Sequence, residues 1–358
     1  MVTVCTFNIN NLFLRYKFGS RPGDDSKNAV PALWGYLPLQ EPGKYSLHNT
    51  HQRQFCSLAL RLPDGSLPDI LCMQEVESLA ALRLFNTKHL DSHYNFAALL
   101  DSHDLRQIDV GILSTLPIVS LRSNVDTKDT LIVETPEDRK ESEAFPWLFS
   151  RDCLEVELDI GPKYPGTLTL FINHFKSKMA KGETSQERRA VAERSARKRL
   201  RQAKGVLARL RERFPGNDYT TKLFAVVGDL NDEPGTPPLE VLTQDGKLTN
   251  VLDKLPEQER WTHYYQGGED DPEQVAQFDY LLLSPALASL CTSDPVVNRA
   301  GIGGRALSCP KGELLPKELL LSGLGGVSKG MIPFTFWRYP GVGAFEAASD
   351  HCPVCIAF

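Results

Sequence analysis

The stretch "AVVGDLND" at residues 225–232 shows how this chain is built. Three apolar residues run into Gly228, and the polar side chains of Asp229, Asn231 and Asp232 follow at once. An apolar run that ends in this way is typical of a buried strand that stops at a turn. Since Asp and Asn are common turn residues, the stretch alone predicts only a strand end. A functional meaning requires that other strands end in polar groups that suit the same chemistry.

The composition is that of a globular protein. The chain has 358 residues, of which 41% are hydrophobic and 24% charged, enough for one large core or two modest ones. The formal net charge is −5 and the pI is about 6.0, so an anionic ligand must be held by a local cationic patch. We see no apolar run of membrane-spanning length and no secretion signal, and we therefore expect a cytoplasmic protein.

The cysteines mostly lie in apolar runs, which is typical of reduced thiols in a protein core. They are Cys5, Cys56, Cys72, Cys153, Cys291, Cys309, Cys352 and Cys355. The motif "CPVC" at 352–355 has the spacing of some metal and redox sites. Residues three apart on a strand face opposite sides, however, so the pattern disfavours a shared metal or redox site here.

Short strands outnumber helices along the chain. Strands are predicted at 2–7, 69–73, 94–100, 109–114, 152–158, 167–172, 223–227, 278–283 and 353–357, and helices near 51–62, 78–88 and 184–214. Many strands with few helices indicate an α+β or sandwich architecture. We find no repeat and no dividing linker, and we expect one domain over residues 1–358. Three long loops are predicted as insertions, at 15–50, 122–148 and 292–348.

The segment 184–214 is the clearest helix. Its apolar residues are spaced three and four apart, at Ala196, Leu200, Ala203, Leu207, Leu210 and Phe214. Basic residues lie largely off this stripe, at Arg197, Lys198, Arg201, Lys204 and Arg211. Such a basic face suits either nucleic-acid binding or the solvated side of a helix that packs on a sheet, and we favour the second interpretation.

Polar groups stand at the ends of six predicted strands. Four of these positions are carboxyl ends, namely Asn8, Glu75, Asn173 with His174, and Asp229 with Asn231. Two are amino ends, namely Asp279, and Asp350 with His351. A doubly wound parallel sheet collects ligands at carboxyl ends only. If all six groups meet at one edge, some strands must run antiparallel to others, as in a mixed or antiparallel sandwich.

Part of this polar set suits a divalent cation. Glu75 and Asp350 offer hard carboxylate oxygens, and Asn8 offers an amide oxygen. Ligands of this kind favour Mg²⁺ or Mn²⁺ over Zn²⁺. The sequence therefore predicts a magnesium or manganese site.

The remaining polar groups suit the attack of water on a phosphoester. His174, His351 and Asn231 can donate hydrogen bonds to a phosphate. Asp229 can take a proton from water, and Asp279 can set the orientation and tautomer of His351. No serine or cysteine lies in a nucleophile-elbow context, which disfavours a covalent route.

At these residues the chain resembles the endonuclease/exonuclease/phosphatase superfamily. That superfamily includes deoxyribonuclease I-like enzymes, apurinic endonucleases, inositol polyphosphate phosphatases and neutral sphingomyelinases. The matching motifs stand in family order over nearly the whole chain: "TFNINNLF", "PDILCMQEVE", "INHFKSK", "GDLND", "FDYLLLS" and "SDHCPV". The resemblance implies a four-layer α/β sandwich, with two mixed, mostly antiparallel sheets packed face to face and helices outside.

The resemblance also implies a role for each polar residue. These roles are metal binding by Glu75, Asn8 and Asp350; orientation or deprotonation of water by Asp229; phosphate binding by Asn231, His174 and His351; and support of His351 by Asp279. The stretches "RQIDVGILS" and "FSRDCLEVEL" resemble an uncharacterised bacterial branch that is often labelled nuclease-like. Arg106 and Lys176 then contact phosphate or form structural ion pairs, and both interpretations stay open.

One position departs from the apurinic endonucleases. They carry an acidic residue two positions after the first-motif asparagine, where this chain has Asn10. One fewer negative charge weakens metal binding or favours a single ion. The departure argues against a close match to those repair enzymes.

We expect a divalent-metal phosphodiesterase that acts on nucleic acid, and a monomer. The alternative is a phosphatase or phosphodiesterase for a small phosphorylated molecule or a phospholipid head group, which the negative net charge favours. A non-catalytic binding module is disfavoured because every matched catalytic position is present. In "FTFWRYP" at 334–340, Trp337 either stacks on an unpaired base or helps to hold its loop on the sheet.

Overall fold

The computed structural model describes residues 1–16, 45–47, 50–178, 182–267, 272–303, 314–323, 328–337 and 347–358. Most of the predicted loop at 15–50 lies outside these ranges. Within them the strands are β1 Thr3–Leu12, β2 Leu14–Tyr16, β3 Tyr45–Leu47, β4 Ile70–Val76, β5 Phe96–Leu99, β6 Asp109–Ser114, β7 Ile118–Arg122, β8 Leu154–Asp159, β9 Thr167–His174, β10 Phe224–Asp229, β11 Thr249–Asn250, β12 His263–Tyr265, β13 Gln274–Ala276, β14 Asp279–Leu283, β15 Val296–Val297, β16 Leu314–Leu321, β17 Met331–Trp337 and β18 Val354–Ala357. All nine predicted strands are confirmed.

The helices confirm the three that were predicted and add shorter ones. They are α1 Thr50–Ala59, α2 Leu79–His89, α3 Pro136–Ala144, α4 Ser185–Arg213, α5 Asp218–Thr221, α6 Pro237–Glu240 and α7 Pro285–Leu290. Short 3₁₀ turns are Asp129–Ile132, Val251–Lys254 and Glu257–Glu259, and Val241–Asp245 forms a π-helical turn. Among the described residues, no helix is both long and apolar enough to cross a membrane.

Two mixed sheets form the centre of the fold. Their strand orders are β15-β18-β1-β4-β6-β5 and β11-β14-β10-β9-β8-β7. Within each sheet one central pair is parallel, β1 with β4 and β9 with β10, and the other pairs are antiparallel. The antiparallel strands β14 and β18 start at the edge where their parallel neighbours end, so both kinds of polar strand end meet there. The predicted mixed sandwich is therefore confirmed.

Side chains alternate between two cores along each central strand. On β1, Val4 packs between the sheets, whereas Cys5 and Phe7 pack on the outer side with residues of α1 and α2. On the other sheet, Val227 of β10 faces the shared core and Val226 faces α4. Strands covered on both faces read as continuous apolar runs, which is why the sequence showed them clearly. Helix, sheet, sheet and helix give the four-layer α/β sandwich.

Helix α4 starts with a capping box between Thr184 and Glu187 and packs through its second half. Ala203, Leu207 and Leu210 of the predicted stripe are buried against the second sheet. Ala196 is exposed, so the stripe was predicted one turn too long. The first turns of α4, before Ser195, are mostly exposed and do not pack on the second sheet.

The basic face of α4 is covered by the segment predicted as the loop 122–148. That segment contains a 3₁₀ turn and α3, and it brings Asp129, Asp138 and Glu141 onto the helix. The Arg201 guanidinium lies 3.0 Å from Asp129 and 3.1 Å from Glu141, and also contacts Asp138. Lys198 Nζ lies 2.6 Å from Asp129. The prediction of a loop is wrong, and that of a solvated face is wrong for Lys198 and Arg201, because the acidic segment folds onto this part of the helix; Arg211 is exposed.

The edge of the two central sheets where the polar strand ends meet is the polar edge. A third sheet, ordered β12-β13-β16-β17, packs beside it. It uses β16 and β17, so the prediction of a loop throughout 292–348 is wrong. Tyr264 and Phe336 lie in its core. The sheet is tied to the edge where the polar strand ends meet, since Tyr264 N donates to Asp350 O at 2.8 Å and His263 forms a β-bridge with His351. These long-range pairings carry no local sequence signal.

Two of the cysteines form a disulfide. Cys5 and Cys355 are register partners on the antiparallel pair of β1 and β18, and their sulfurs are bonded. The prediction of reduced thiols is wrong for this pair, because strand register brings together residues 350 positions apart. The free cysteines of the described residues are all buried; they are Cys56, Cys72, Cys153, Cys291 and Cys352. The two cysteines of "CPVC" lie in different cores, as the strand geometry predicted.

Candidate active site

Asp229, at the end of β10, is the centre of the polar edge. Strand register places it beside His174 on the parallel strand β9 and opposite Asp279 on the antiparallel strand β14. The preceding residue, Gly228, has φ +131°, and a Cβ there would lie 2.0 Å from Asn173 O. Only glycine adopts this φ readily and leaves room for the backbone of Asn173. "GDLND" therefore combines a backbone requirement at the glycine with a chemical group at the aspartate.

The Asp229 carboxylate is held by several hydrogen bonds. It accepts from Asn8 Nδ2 at 3.1 Å, from Asn231 Nδ2 at 3.0 Å and from Asn231 N at 2.9 Å. His174 Nε2 lies 3.3 Å from Oδ2. Burial raises the pKa of Asp229 to about 7, and the nearby charge of Asp279 adds to this effect, while His351, Asn8 and Asn231 oppose it. A carboxylate with such a pKa can accept a proton near neutral pH.

His351 lies between the two carboxylates. Its Nδ1 is 2.8 Å from Asp279 Oδ2, and its Nε2 is 3.8 Å from Asp229 Oδ2. Thr262 Oγ1 donates to Asp279 Oδ2 at 2.8 Å and accepts from Asp279 N at 3.0 Å, which fixes this carboxylate. Burial alone would lower the pKa of His351, but Asp279 and Asp229 outweigh burial and raise it well above its usual value. The imidazole is therefore held as a cation that faces Asp229.

His174 has the opposite electrostatic environment. It is buried, and burial together with the positive charges of Arg151 and Arg106 lowers its pKa well below the usual value. A neutral imidazole is a hydrogen-bond donor at one nitrogen only. The edge thus carries one neutral and one charged histidine, on either side of Asp229.

Glu75, Asn8 and Asp350, the predicted metal ligands, place side-chain oxygens at this edge. Glu75 lies at an irregularity in the pairing of β4 with β6, has φ +63°, and accepts from Asn11 N at 3.1 Å. Burial raises the pKa of Glu75, and the nearby charge of Asp350 raises it further. Two neighbouring carboxylates that repel each other fit a cation, since its charge would relieve both the repulsion and the desolvation. The donor set therefore fits a divalent metal ion.

The departure at Asn10 has a structural counterpart. Asn10 Nδ2 donates to Asp350 Oδ1 at 3.0 Å, and Asn10 N donates to Asn8 Oδ1 at 3.1 Å. An amide at position 10 thus connects two of the expected metal ligands. A carboxylate there could not donate to Asp350 and would repel it.

Two overlapping groups of described residues have ligand atoms within 4.8 Å of one another and form a candidate metal site. They are His263 with Asp350 and His351, and Asp229 with Asp279 and His351. Members of the second group already bond to one another, which suits proton handling better than metal binding. The sequence did not indicate His263. It lies in "WTHYY", where no apolar strand ends, so no local signal could have indicated it.

A cationic group lies on the side of Glu75 and His174. Arg106 is exposed, and its Nε is 3.6 Å from Asp104 Oδ1. Arg151, also missed from the sequence, is buried, with Nε 2.8 Å from Asp104 Oδ2 and Nη1 donating to Phe175 O at 3.0 Å. Both arginines act electrostatically on Glu75 and His174. The quoted motif "FSRDCLEVEL" contains Arg151, but an arginine before a strand gives no sign that it is buried.

Lys176 belongs to the same side of the edge. Burial lowers the pKa of its side chain, and the charges of Arg151 and Arg106 lower it further. Its backbone is held by α4, since Lys176 N donates to Gln202 Oε1 at 2.9 Å and Arg199 Nη1 donates to Lys176 O at 3.2 Å. The phosphate-contact and ion-pair interpretations of Arg106 and Lys176 both remain predictions.

The aromatic residues near 334–340 are described only in part. The ring centroid of Phe334 lies 5.0 Å from that of Trp261, and that of Phe336 lies 5.1 Å from that of Tyr264. These two rings of β17 therefore pack in the core of the third sheet. The side chain of Trp337 and residues 338–346 lie outside the described part of the chain. The base-stacking hypothesis for Trp337 therefore stays a prediction.

The four-layer sandwich and its buried Asp–His edge define a metal-dependent phosphoester hydrolase. Residues 5–351 match the model of the Endonuclease/Exonuclease/phosphatase family, and the chain belongs to that family. No curated protein matches the sequence.

Solved structures share the fold over the whole length. SmcL is 14% identical, with 100% of this chain and 99% of that chain covered and a TM-score of 0.50. Sphingomyelinase C from Streptomyces griseocarneus is 15% identical, with 99% and 98% covered and a TM-score of 0.50. The human Nocturnin catalytic domain is 13% identical, with 99% and 93% covered and a TM-score of 0.50. Similarity at this level of identity shows the fold alone.

Proposed function

We propose that the protein hydrolyses phosphodiester bonds in nucleic acid by direct attack of water, with Mg²⁺ or Mn²⁺ as cofactor. The observation that carries the proposal is the environment of Asp229. This buried carboxylate has a pKa of about 7 and lies 3.3 Å from His174 and 3.8 Å from His351. It can take a proton beside two imidazoles that can hold a phosphate.

In this proposal Asp229 orients the attacking water and accepts its proton. The hydrogen bonds from Asn8 and Asn231 fix the carboxylate, and Asn231 also donates to Phe175 O at 3.2 Å. His351, charged and oriented by Asp279, would donate from Nε2 to a phosphate oxygen as negative charge develops there. His174 would supply a neutral donor on the other side.

Glu75 and Asp350, with Asn8, would hold the metal ion. When bound, such an ion neutralises charge on the phosphate oxygens and so lowers the barrier to attack. Asn10 would keep Asp350 in place through its 3.0 Å hydrogen bond. The hard oxygen set favours Mg²⁺ or Mn²⁺.

Nucleic acid as substrate is supported by the local cationic group. The chain is acidic overall, at −5, yet Arg106, Arg151 and Lys176 collect beside Glu75 and His174. Arg106 and Lys176 are exposed and can bind neighbouring phosphates of a polyanionic chain, while the buried Arg151 adds positive charge beside them. The alternative is a small phosphorylated molecule or a phospholipid head group, and the net charge favours it.

A substrate panel with Mg²⁺ or Mn²⁺ tests the proposal. It contains supercoiled plasmid, linear duplex, single strands, an abasic oligonucleotide, bis(p-nitrophenyl) phosphate, inositol phosphates and sphingomyelin, with Asp229→Asn as the control variant. We expect EDTA-sensitive hydrolysis of nucleic acid and of bis(p-nitrophenyl) phosphate. Turnover of inositol phosphates or sphingomyelin without cleavage of nucleic acid would establish the alternative substrate class instead.

A further inference from the structure

His263 occupies the boundary between the third sheet and the polar edge. It is the first residue of β12, and its backbone forms a β-bridge with His351. Its ring centroid lies 4.6 Å from that of His351, tilted by 59°, and 4.8 Å from that of Phe278, stacked at 26°. These contacts fix the position of the imidazole next to the residues that the proposed function uses.

The polar edge of His263 faces the same space as those residues. One of its ring nitrogens lies within 4.8 Å of ligand atoms of both Asp350 and His351. The side chain is only partly buried, so a ligand can reach it. Within the described residues no hydrogen bond to either ring nitrogen is formed, although the ring itself is packed on two sides.

The surroundings of His263 also suit an anion. Lys178 acts electrostatically on His263, and its Nζ lies 5.1 Å from the ring of Phe278, where it also pairs with Glu233 at 2.6 Å and Asp232 at 3.1 Å. Arg106, Arg151 and Lys176 form the cationic group near Glu75 and His174, whereas His263 and Lys178 reach the edge from the third sheet and the loop after β9. A phosphate at this edge would therefore have positive charge on one side and the ring nitrogens of His263 on the other.

We propose that His263 is a third imidazole of the phosphate site and that its ring N–H donates a hydrogen bond to an oxygen of the scissile phosphate. This inference rests on the proposed function. A purely structural role would require only the aromatic ring, which packs against Phe278 and His351. A role in phosphate binding requires the nitrogen. The two roles can be separated because phenylalanine keeps a ring and removes the donor.

The test uses His263→Phe and His263→Gln with bis(p-nitrophenyl) phosphate in Mg²⁺ or Mn²⁺. We expect His263→Phe to lower kcat/KM by about 10- to 100-fold, the range for a hydrogen bond to a charged group. His263→Gln supplies an N–H at a similar reach and should recover a large part of this loss. Inhibition by inorganic phosphate should weaken in His263→Phe and recover in the same way. The melting temperature of His263→Phe should stay close to that of the wild type.

His89→Phe is the matched control. His89, on α2, stacks on Phe85 at 5.6 Å and 29°, so the same exchange is made beside a phenylalanine at another place in the fold. Its kcat/KM should equal that of the wild type. Wild-type kcat/KM in His263→Phe, or no recovery in His263→Gln, would overturn the inference and leave the proposed function intact. Failure of the wild-type protein to hydrolyse any phosphodiester would instead contradict both the proposed function and the role of His263.

Discussion

Asp229 and Asp279 are register partners on the antiparallel strands β10 and β14, and one imidazole lies between their carboxylates. His351 places Nδ1 2.8 Å from Asp279 and Nε2 3.8 Å from Asp229. The charge of Asp279 adds to the burial that raises the pKa of Asp229, the charge of His351 opposes it, and both carboxylates raise the pKa of His351. The protonation of Asp229 therefore depends on the charge of His351, and that of His351 on the charge of Asp229, while Thr262 holds the Asp279 carboxylate in place.

The first prediction concerns Asp279→Asn. Because Asp279 raises the pKa of His351, its removal should lower that pKa, and His351 should lose its fixed tautomer. We expect kcat to fall by about 10²- to 10⁴-fold. An NMR titration of His351 and steady-state kinetics check the two effects. Asp253→Asn, an exposed carboxylate paired with Arg260, is the control. An unchanged pKa of His351 would contradict the assigned role.

The second prediction concerns Asp229→Asn, which should remove the proton acceptor and lower kcat by about 10²- to 10⁴-fold. The folded-state pKa of Asp229 is raised to about 7, so its stabilising contribution is present below about pH 4 and is lost as the pH rises through 7. The variant should therefore be no less stable than the wild type at pH 8. Kinetics and thermal unfolding at pH 8 measure both effects. A variant with wild-type turnover would exclude Asp229 as the base.

The third prediction concerns the metal. Glu75→Gln keeps the shape of the side chain and removes one of two neighbouring carboxylate charges, so binding of Mg²⁺ or Mn²⁺ should weaken by tenfold or more, on the order of a lost charged ligand. Titration of activity against metal concentration measures this change. Glu193→Gln, on the exposed part of α4, should leave the titration unchanged. Full wild-type activity in excess EDTA would show that the carboxylate pair has no role in metal binding.

The fourth prediction concerns stability against pH. Asp152 is buried and accepts from Asn124 N at 2.8 Å, and burial raises its pKa to about 6. Its stabilising contribution is therefore present below about pH 4 and is lost as the pH rises through 6. The free energy of unfolding of the wild type should fall between pH 4 and 7. In Asp152→Asn this fall should be smaller by about 3 kcal/mol. Urea unfolding across this pH range tests the change; equal slopes in the two proteins would contradict it.

The fifth prediction concerns the contact between α3 and α4. Arg201→Met removes one of the cations among Asp129, Asp138 and Glu141, and should lower the free energy of unfolding by about 1.5–3 kcal/mol, because these carboxylates lose charged hydrogen bonds while Lys198 and Arg197 still pair with them. Affinity for nucleic acid, measured below the melting temperature, should be unchanged. A large loss of affinity in a stable variant would restore the nucleic-acid interpretation of this helix. Arg211→Met, at the exposed end of α4, is the control.

Much of the fold could be predicted because its signals are local. Strands such as β10 and β14 are buried on both faces, so they appear as short apolar runs bounded by turn residues. The helix from Ser185 to Arg213 shows its period directly in the sequence. The segments at 122–148 and 292–348 were misjudged. Helix α3 is held by ion pairs to α4, far along the chain, and the β16–β17 pair is completed by pairing with β13.

The site shows the same division. The sequence by itself determined which carboxylates, amides and imidazoles stand at strand ends, and this was enough to indicate the chemistry of a phosphoester hydrolase. The expected support of His351 by Asp279 was among these indications, and the 2.8 Å contact agrees with it. Only the tertiary structure decided that Arg151 and His263 belong beside them. The physical reason is that strand register and the docking of the third sheet set these distances. Both depend on packing between residues that are far apart in the chain.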